Sequence, residues 1–250
     1  MKIIACYSNK GGVGKTAASV NLAYAFAQAG KRTLLCDLDP QGASSFYFRV
    51  KPSRKLADTA FFEDVGKFTK SIRGSDYDNL DILPANLGFR DFDVFLSRMR
   101  NKRSRLKTAL QRVKADYDVI LLDCPPNISI LSENVFRSAD AILVPVIPTT
   151  LSQRTFDQLA AFFKEHDLPV KKLHGFFSMV QKVKALHVDT MAEMTGTHNR
   201  RLMKAQIPFA SDIERMGLLR APVMATAPSS TASKAYWALH CEIQERMKTT

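Results

Sequence analysis

The chain is 250 residues long, 46% hydrophobic and 24% charged, with a formal net charge of +12. That length suits one α/β domain over residues 1–250 with a sizeable core, and no apolar stretch approaches the ~18–20 residues a membrane helix needs. The charge excess points to a polyanionic partner, nucleic acid before anionic lipid, and the four cysteines (Cys6, Cys36, Cys124, Cys241) contain no C-x-x-C pair, which fits buried free thiols in a reducing compartment and weighs against an iron–sulfur carrier.

Residues 2–7 (KIIACY) read as a buried strand that starts the chain without a signal peptide. Lys10-Gly11-Gly12-Val13-Gly14-Lys15-Thr16 follows as a glycine loop. Residues 15–29 read as an Ala-rich helix, with Gly30 placed to end it. Strand, glycine loop and helix N-terminus together form an anion site, because backbone N–H groups wrap phosphates and the helix dipole favours negative charge. Lys15 can reach terminal phosphates and the Thr16 hydroxyl can ligate Mg²⁺. Position 9 is Asn where the general phosphate-loop pattern has Gly, and the loop opens on a second cation, Lys10.

The next strand, 33–38, runs into Asp37-Leu38-Asp39-Pro40-Gln41-Gly42. Two carboxylates two residues apart at a strand end point the same way. The segment 49–78 is polar and charged and reads as a helix–loop excursion. Residues 80–83 read as a strand, and 98–107 (RMRNKRSRLK) as a helix whose charges go nearly all round, a solvated face. The apolar strand 117–123 ends at Asp123, whose carboxylate emerges beside the phosphates and can hold Mg²⁺ directly or through water. Pro125-Pro126 then stiffens the chain and removes two backbone donors, which suits a switch segment.

Further strands fall at 140–147, 173–179 and near 205–207, and 229–247 reads as a terminal helix. Its neighbours Tyr236 and Trp237 cannot share one helix face, so at least one anchors the core. The strands are continuous apolar runs rather than alternating ones. That pattern predicts a mostly parallel, doubly wound sheet with helices on both faces and a ligand at the carboxyl ends of the strands, the architecture of a P-loop NTPase.

The loop, together with TLLCDLDPQGASS at 33–45, YDVILLDCPPN at 117–127, ADAILVPVIP at 139–148 and AQIP at 205–208, resembles the ParA/MinD family of deviant Walker A ATPases, on its ParA-like branch. The resemblance implies ATP and Mg²⁺ as cofactors and slow basal hydrolysis. Gly11, Gly12, Val13, Gly14, Lys15, Thr16, Ala17 and Pro208 would hold the nucleotide. Asp123 and Thr16 would serve the metal, Asp37 its outer shell, and Asp39 the attacking water. Lys10 would reach across a nucleotide-sandwich homodimer to the partner's phosphates, as an arginine finger does in trans.

The resemblance also implies non-specific duplex DNA binding through a surface in 182–220. The candidates there are Lys182, Lys184, Arg200, Arg201, Lys204, Arg215 and Arg220. Many chromosomal members of the family carry an arginine shortly after the I-P step, where this chain has Asp212. A ParB-like or small disordered cargo adaptor would stimulate hydrolysis, and the protein would be cytoplasmic and nucleoid-associated. The cargo would be a plasmid or chromosome partition complex, or a protein body such as a carboxysome or chemoreceptor cluster. The alternative, a MinD-type membrane switch, needs a basic amphipathic tail that ERMKTT at the end does not supply. An amide-forming ligase of the same fold is disfavoured by the D-x-D-P-Q-G run and Lys10.

Overall fold

The computed structural model describes residues 1–51, 69–85 and 104–248. Most of the excursion read over 49–78 and the first part of the basic run 98–107 lie outside these residues. Among the described residues eight strands form one sheet. They are β1 (Lys2–Cys6), β2 (Thr33–Asp37), β3 (Arg73–Gly74), β4 (Leu80–Leu83), β5 (Val119–Asp123), β6 (Ala141–Val146), β7 (Leu173–Val180) and β8 (Leu202–Pro208), in the order β3-β4-β2-β5-β1-β6-β7-β8. Every neighbouring pair is parallel except the short antiparallel edge β3–β4.

The continuous apolar runs have a direct cause. Alternate residues of each central strand enter opposite cores: Ile3 and Ala5 of β1 go to one, Ile4 and Cys6 to the other. Ile120 and Leu122 of β5 part from Val119 and Leu121 in the same way. The first core is closed by α3 (Arg105–Arg112), α4 (Ile130–Ser138), α5 (Thr150–Glu165) and α6 (Ala185–His198). The second is closed by α1 (Lys15–Gln28) and the terminal α10 (Thr231–Lys248), with α2 (Ala43–Tyr47) and the short α7 (Ser211–Glu214), α8 (Met216–Leu219) and α9 (Val223–Thr226) at the strand ends. This is the doubly wound P-loop fold expected from the strand pattern.

Differences from the pattern reading fall at the sheet edges and on a helix face. β3 is two residues long, too short to leave a periodic signal. β8 begins three residues earlier than its apolar stretch, because its outer positions Lys204 and Gln206 are exposed. Its free edge is covered by α10. The Glu242 carboxylate accepts from the Lys204 and Ala205 N–H groups at 2.8 and 3.0 Å, and Arg246 donates to the Leu202 and Arg200 carbonyls. This satisfies an edge that would otherwise template further pairing. Tyr236 is buried and Trp237 is 41% exposed, so Tyr236 is the core anchor of that pair. Cys6, Cys36 and Cys124 are buried; Cys241 lies on the exposed side of α10. No helix among the described residues is long and apolar enough to cross a membrane.

Gly175 in β7 has no room for a side chain. A Cβ there would stand 2.7 Å from Leu202 Cδ2 and 2.9 Å from Phe156 Cε2, both in the core. Gly175→Ala is expected to cost about 1–3 kcal/mol through overpacking. In a domain of this size each kilocalorie lowers the melting midpoint by about 2–4 °C. Thermal unfolding followed by circular dichroism measures it, and a midpoint equal to that of the parent chain would refute the packing argument.

Candidate nucleotide and metal site

The site is assembled at the carboxyl ends of β1, β2 and β5. The loop after β1 turns into α1 through Gly14, which is left-handed at φ 92° and forms the N-cap. Any side chain at Gly14 would meet Ser178 Oγ of β7 at 2.8 Å. So glycine is required twice, for the turn and for the close approach of β7. No side chain caps α1. Its first N–H groups are the free donors of an anion cradle. Lys15 is 7% exposed, and its Nζ donates to the Lys10 carbonyl at 3.1 Å. Burial lowers its pKa, opposed first by Asp123 and then by Asp39. A buried ammonium in the glycine loop, within electrostatic reach of Asp123 and Asp39, is placed to neutralise an anion.

Asp37 and Asp123 end β2 and β5 in direct register, and both are 0% exposed. Two buried carboxylates side by side are costly unless each finds donors. Ser44 Oγ donates to Asp123 Oδ2 at 2.7 Å and Ser19 Oγ to Asp123 Oδ1 at 3.1 Å. Ser45 gives Asp37 Oδ2 both its N–H and its hydroxyl, each at 2.7 Å. Asp37 Oδ1 is buried with no partner. Burial, and then the charge of Asp123, push Asp37 up to about 7. Burial also raises Asp123, against hydrogen bonds from Ser44, Thr16 and Ser19 and the charge of Lys15.

This donor set fits a hard divalent cation. It offers the Thr16 hydroxyl, the Asp123 carboxylate and one orphaned oxygen of Asp37, all oxygen ligands. No group of three or more His, Cys, Asp or Glu among the described residues could hold a metal alone. The remaining coordination positions would fall to water and phosphate, the usual arrangement for a cation that arrives with a nucleotide.

The other expected residues divide. Asp39 lies two residues past the end of β2, partly exposed, and its Oδ1 accepts from the Gln41 N–H at 2.9 Å. It therefore sits on the turn into α2, apart from the buried pair but close enough to act on Lys15. Lys10 Nζ points away from its own loop and donates to Ser152 Oγ at the start of α5, 3.3 Å away. Pro208 lines a cleft of about 250 Å³ with Val180, Lys182, Gln206, Thr231 and Ala235, beyond the ends of β7 and β8. The cleft lies at the same end of the sheet as the phosphate loop, though none of these lining residues belongs to that loop. A larger cleft, about 500 Å³, opens among Lys2, Phe26, Asp118 and Met247 at the opposite end of the sheet and has no phosphate loop.

The basic residues do not form one patch. Lys182 and Lys184 follow β7, and Arg215 and Arg220 follow β8, all at the phosphate-loop end. Arg200 and Arg201 precede β8, at the other end of the sheet, and Lys204 stands on the outer edge strand. Pattern reading missed Ser19, Ser44, Ser45 and Ser152. Ser19 had a usable signal, since it stands four residues after Lys15 on the same helix face. The other three follow strands or turns whose geometry brings them to the carboxylates or to Lys10 only in three dimensions.

The pH dependence follows from the raised Asp37. The native chain holds a proton there that the unfolded chain releases near its ordinary value of 3.8. That contribution to stability is full below about pH 4 and is lost as pH rises through the folded value of about 7. In chelator, Asp37→Asn should therefore melt above the parent at pH 8, with the gap narrowing as pH falls from about 7 towards 4, at about 2–4 °C for each kcal/mol. Adding Mg²⁺ together with ATP at pH 8 should stabilise the parent more than the variant. Parallel pH profiles of the two melting points would refute the assignment.

A family model described as an AAA domain matches residues 1–173. Over 152 residues the chain is 37% identical to the sporulation initiation inhibitor protein Soj of Bacillus subtilis, a match that covers 58% of each chain. It is 28% identical to the chromosome partitioning protein ParA of Myxococcus xanthus over 97% of this chain and 88% of that one. In fold it is similar to the crystal structure of cobyrinic acid a,c-diamide synthase from Mycobacterium smegmatis with bound ADP and magnesium, with a TM-score of 0.82 and 22% identity over 99% and 96% of the two chains. At that identity the likeness speaks for the fold alone. The fold, the two-lysine loop and the paired carboxylates agree with the match over residues 1–173, and the chain belongs to the ParA/MinD family of P-loop ATPases.

Proposed function

We propose that this protein is an ATP-dependent positioning or partition ATPase. In this reading ATP closes a homodimer, the dimer holds duplex DNA without sequence preference, and a cargo adaptor stimulates hydrolysis and release. The observation that carries it is the divergence of the two lysines. Lys15 Nζ turns into its own loop, whereas Lys10 Nζ leaves that loop for Ser152. A cation that does not serve its own cradle is free to serve a partner's.

The chain's own groups would work as follows. The loop from Gly11 to Ala17 and the N-terminus of α1 bind the phosphates, and the cleft at Pro208 takes the base. Thr16, Asp123 and Asp37 hold Mg²⁺, which, when bound, neutralises charge on the phosphate oxygens. Asp39 on its turn orients the attacking water. Lys10 from the partner subunit adds positive charge where the transition state needs it, so hydrolysis requires the dimer. Names among the relatives, chromosome partitioning above all, support partition as the biological setting.

For DNA the net charge of +12 supplies the attraction. Lys182, Lys184, Arg215 and Arg220, at the phosphate-loop end, supply the part that dimerisation gates. Arg200, Arg201 and Lys204 add a part that is independent of nucleotide. The adaptor is of the ParB-like or small disordered type, and its cargo is a plasmid or chromosome partition complex or a protein body. The protein is thereby placed in the cytoplasm, on the nucleoid.

Lys15→Ala should weaken ATP binding about tenfold to a hundredfold, the worth of a lost charge-assisted contact. Asp39→Ala should bind ATP and dimerise but hydrolyse more slowly, and Lys10→Ala should bind ATP yet stay monomeric. Size-exclusion chromatography and phosphate release read these outcomes. In a filter-binding titration, DNA affinity should be high only with ATP and should fall with salt by about 0.9 logarithmic units for each phosphate contacted. Charge reversal at Lys182 or Arg215 should remove the dependence on ATP, while reversal at Arg200 or Arg201 should weaken all nucleotide states alike. Equal affinity without nucleotide, with ADP and with ATP would overturn the reading.

A further inference from the structure

We infer that Phe46 is a positioning residue which restrains Arg220, and that taking Ser44 off Asp123 shifts the short helix α2 and frees Arg220 to bind a polyanion. The inference rests on the function proposed above and names a route by which the site would gate the basic face.

Three successive residues of α2 carry it. Ser44 donates to Asp123 and Ser45 to Asp37, both through hydrogen bonds of 2.7 Å in a fully enclosed setting. Phe46 comes next and points outward, 48% exposed. Its carbonyl accepts from Arg220 Nε at 3.2 Å, and its ring lies 4.5 Å beneath the Arg220 guanidinium carbon. Among the described residues no carboxylate pairs with Arg220. Its charge is thus held by a backbone oxygen and an aromatic face, a weak restraint that a phosphate can outbid. Arg220 also caps α8 in the left-handed region at φ 49°, a conformation that side chains rarely adopt. Such a backbone persists where its surroundings hold it, and Phe46 is part of that hold.

The coupling is steric and short. α2 is five residues long and follows Gly42, its N-cap, which is left-handed at φ 67°. One turn cannot shift its two serines and leave the next residue in place. Ser44 occupies Asp123 Oδ2 and Ser19 occupies Asp123 Oδ1, so a cation on Asp123 competes with Ser44, whereas Ser45 sits on Asp37 Oδ2 beside the open Oδ1. Loss of the Ser44 contact moves Phe46, and with it both contacts to Arg220. Arg220 then joins Lys182, Lys184 and Arg215 at the same end of the sheet.

Two measurements test this. The first reports the contact without DNA. The chain has one tryptophan, Trp237, so Trp237→Phe combined with Phe46→Trp gives a single indole beside Arg220. Its emission should change when Mg²⁺ and ATP are added. The change should vanish in an Arg220→Gln background. Unchanged emission, or the same response without the arginine, would overturn the inference. The second uses fluorescence anisotropy with a duplex of arbitrary sequence. Phe46→Leu should raise nucleotide-independent affinity about two- to fivefold, the worth of a released exposed cation–π contact. The salt slope should steepen by about 0.9, and affinity with ATP should stay as in the parent. Phe46→Trp, which keeps the ring, should behave as the parent. An equal gain from Phe46→Leu in the Arg220→Gln background would refute a role for Arg220. If the parent chain binds DNA equally in all nucleotide states while the indole still responds, the restraint holds and the DNA-positioning reading alone falls.

Discussion

Two carboxylates buried side by side organise this molecule. Asp37 and Asp123 face each other at the ends of adjacent parallel strands, with no solvent and too few donors. Neighbouring carboxylates in a low-dielectric site cannot both stay charged without compensation. The compensation comes from every element around them. Lys15 and Ser19 project from α1, and Ser44 and Ser45 from α2. The Ser45 hydroxyl also accepts from the Ala85 N–H just beyond β4 at 2.9 Å, so the end of β4 is tied to the same cluster. Removing any one donor leaves a buried charge unpaired, which costs more than the bond itself is worth.

That cluster is only partly satisfied. One Asp37 oxygen has no partner, and Asp37 is held far above the usual carboxylate range. A divalent cation on Asp37 Oδ1 would give the orphaned oxygen a partner and favour the charged carboxylate. A carboxylate so perturbed beside a phosphate-binding loop is a functional-site candidate.

Lys10 and Lys15 show how a short loop separates two tasks. The backbone turns through Gly14 so that one ammonium is buried against the carboxylates and the other is left at the rim beside Ser152. The same loop thus keeps one cation inside the carboxylate cluster and hands the other to a hydroxyl of α5.

The strand order of motifs, the doubly wound parallel sheet and the phosphate loop were legible in the chain itself. They depend on local signals: continuous apolar runs, glycines before a helix and acidic residues at strand ends. The register that sets Asp37 beside Asp123 could not be read, because it pairs residues 86 positions apart and depends on the strand order β4-β2-β5-β1. Nor could the serines of α2, which carry no periodic signature, or the contact of Arg220 with Phe46, which joins residues 174 apart. The basic clusters looked like one surface along the chain, yet strand direction sends Arg200 and Arg201 to one end of the sheet and Arg215 and Arg220 to the other. Sequence determined which chemical groups exist and the local geometry of the loop that cradles phosphate. Tertiary structure decided which groups share a dielectric environment, because desolvation and charge proximity act through space and not along the chain.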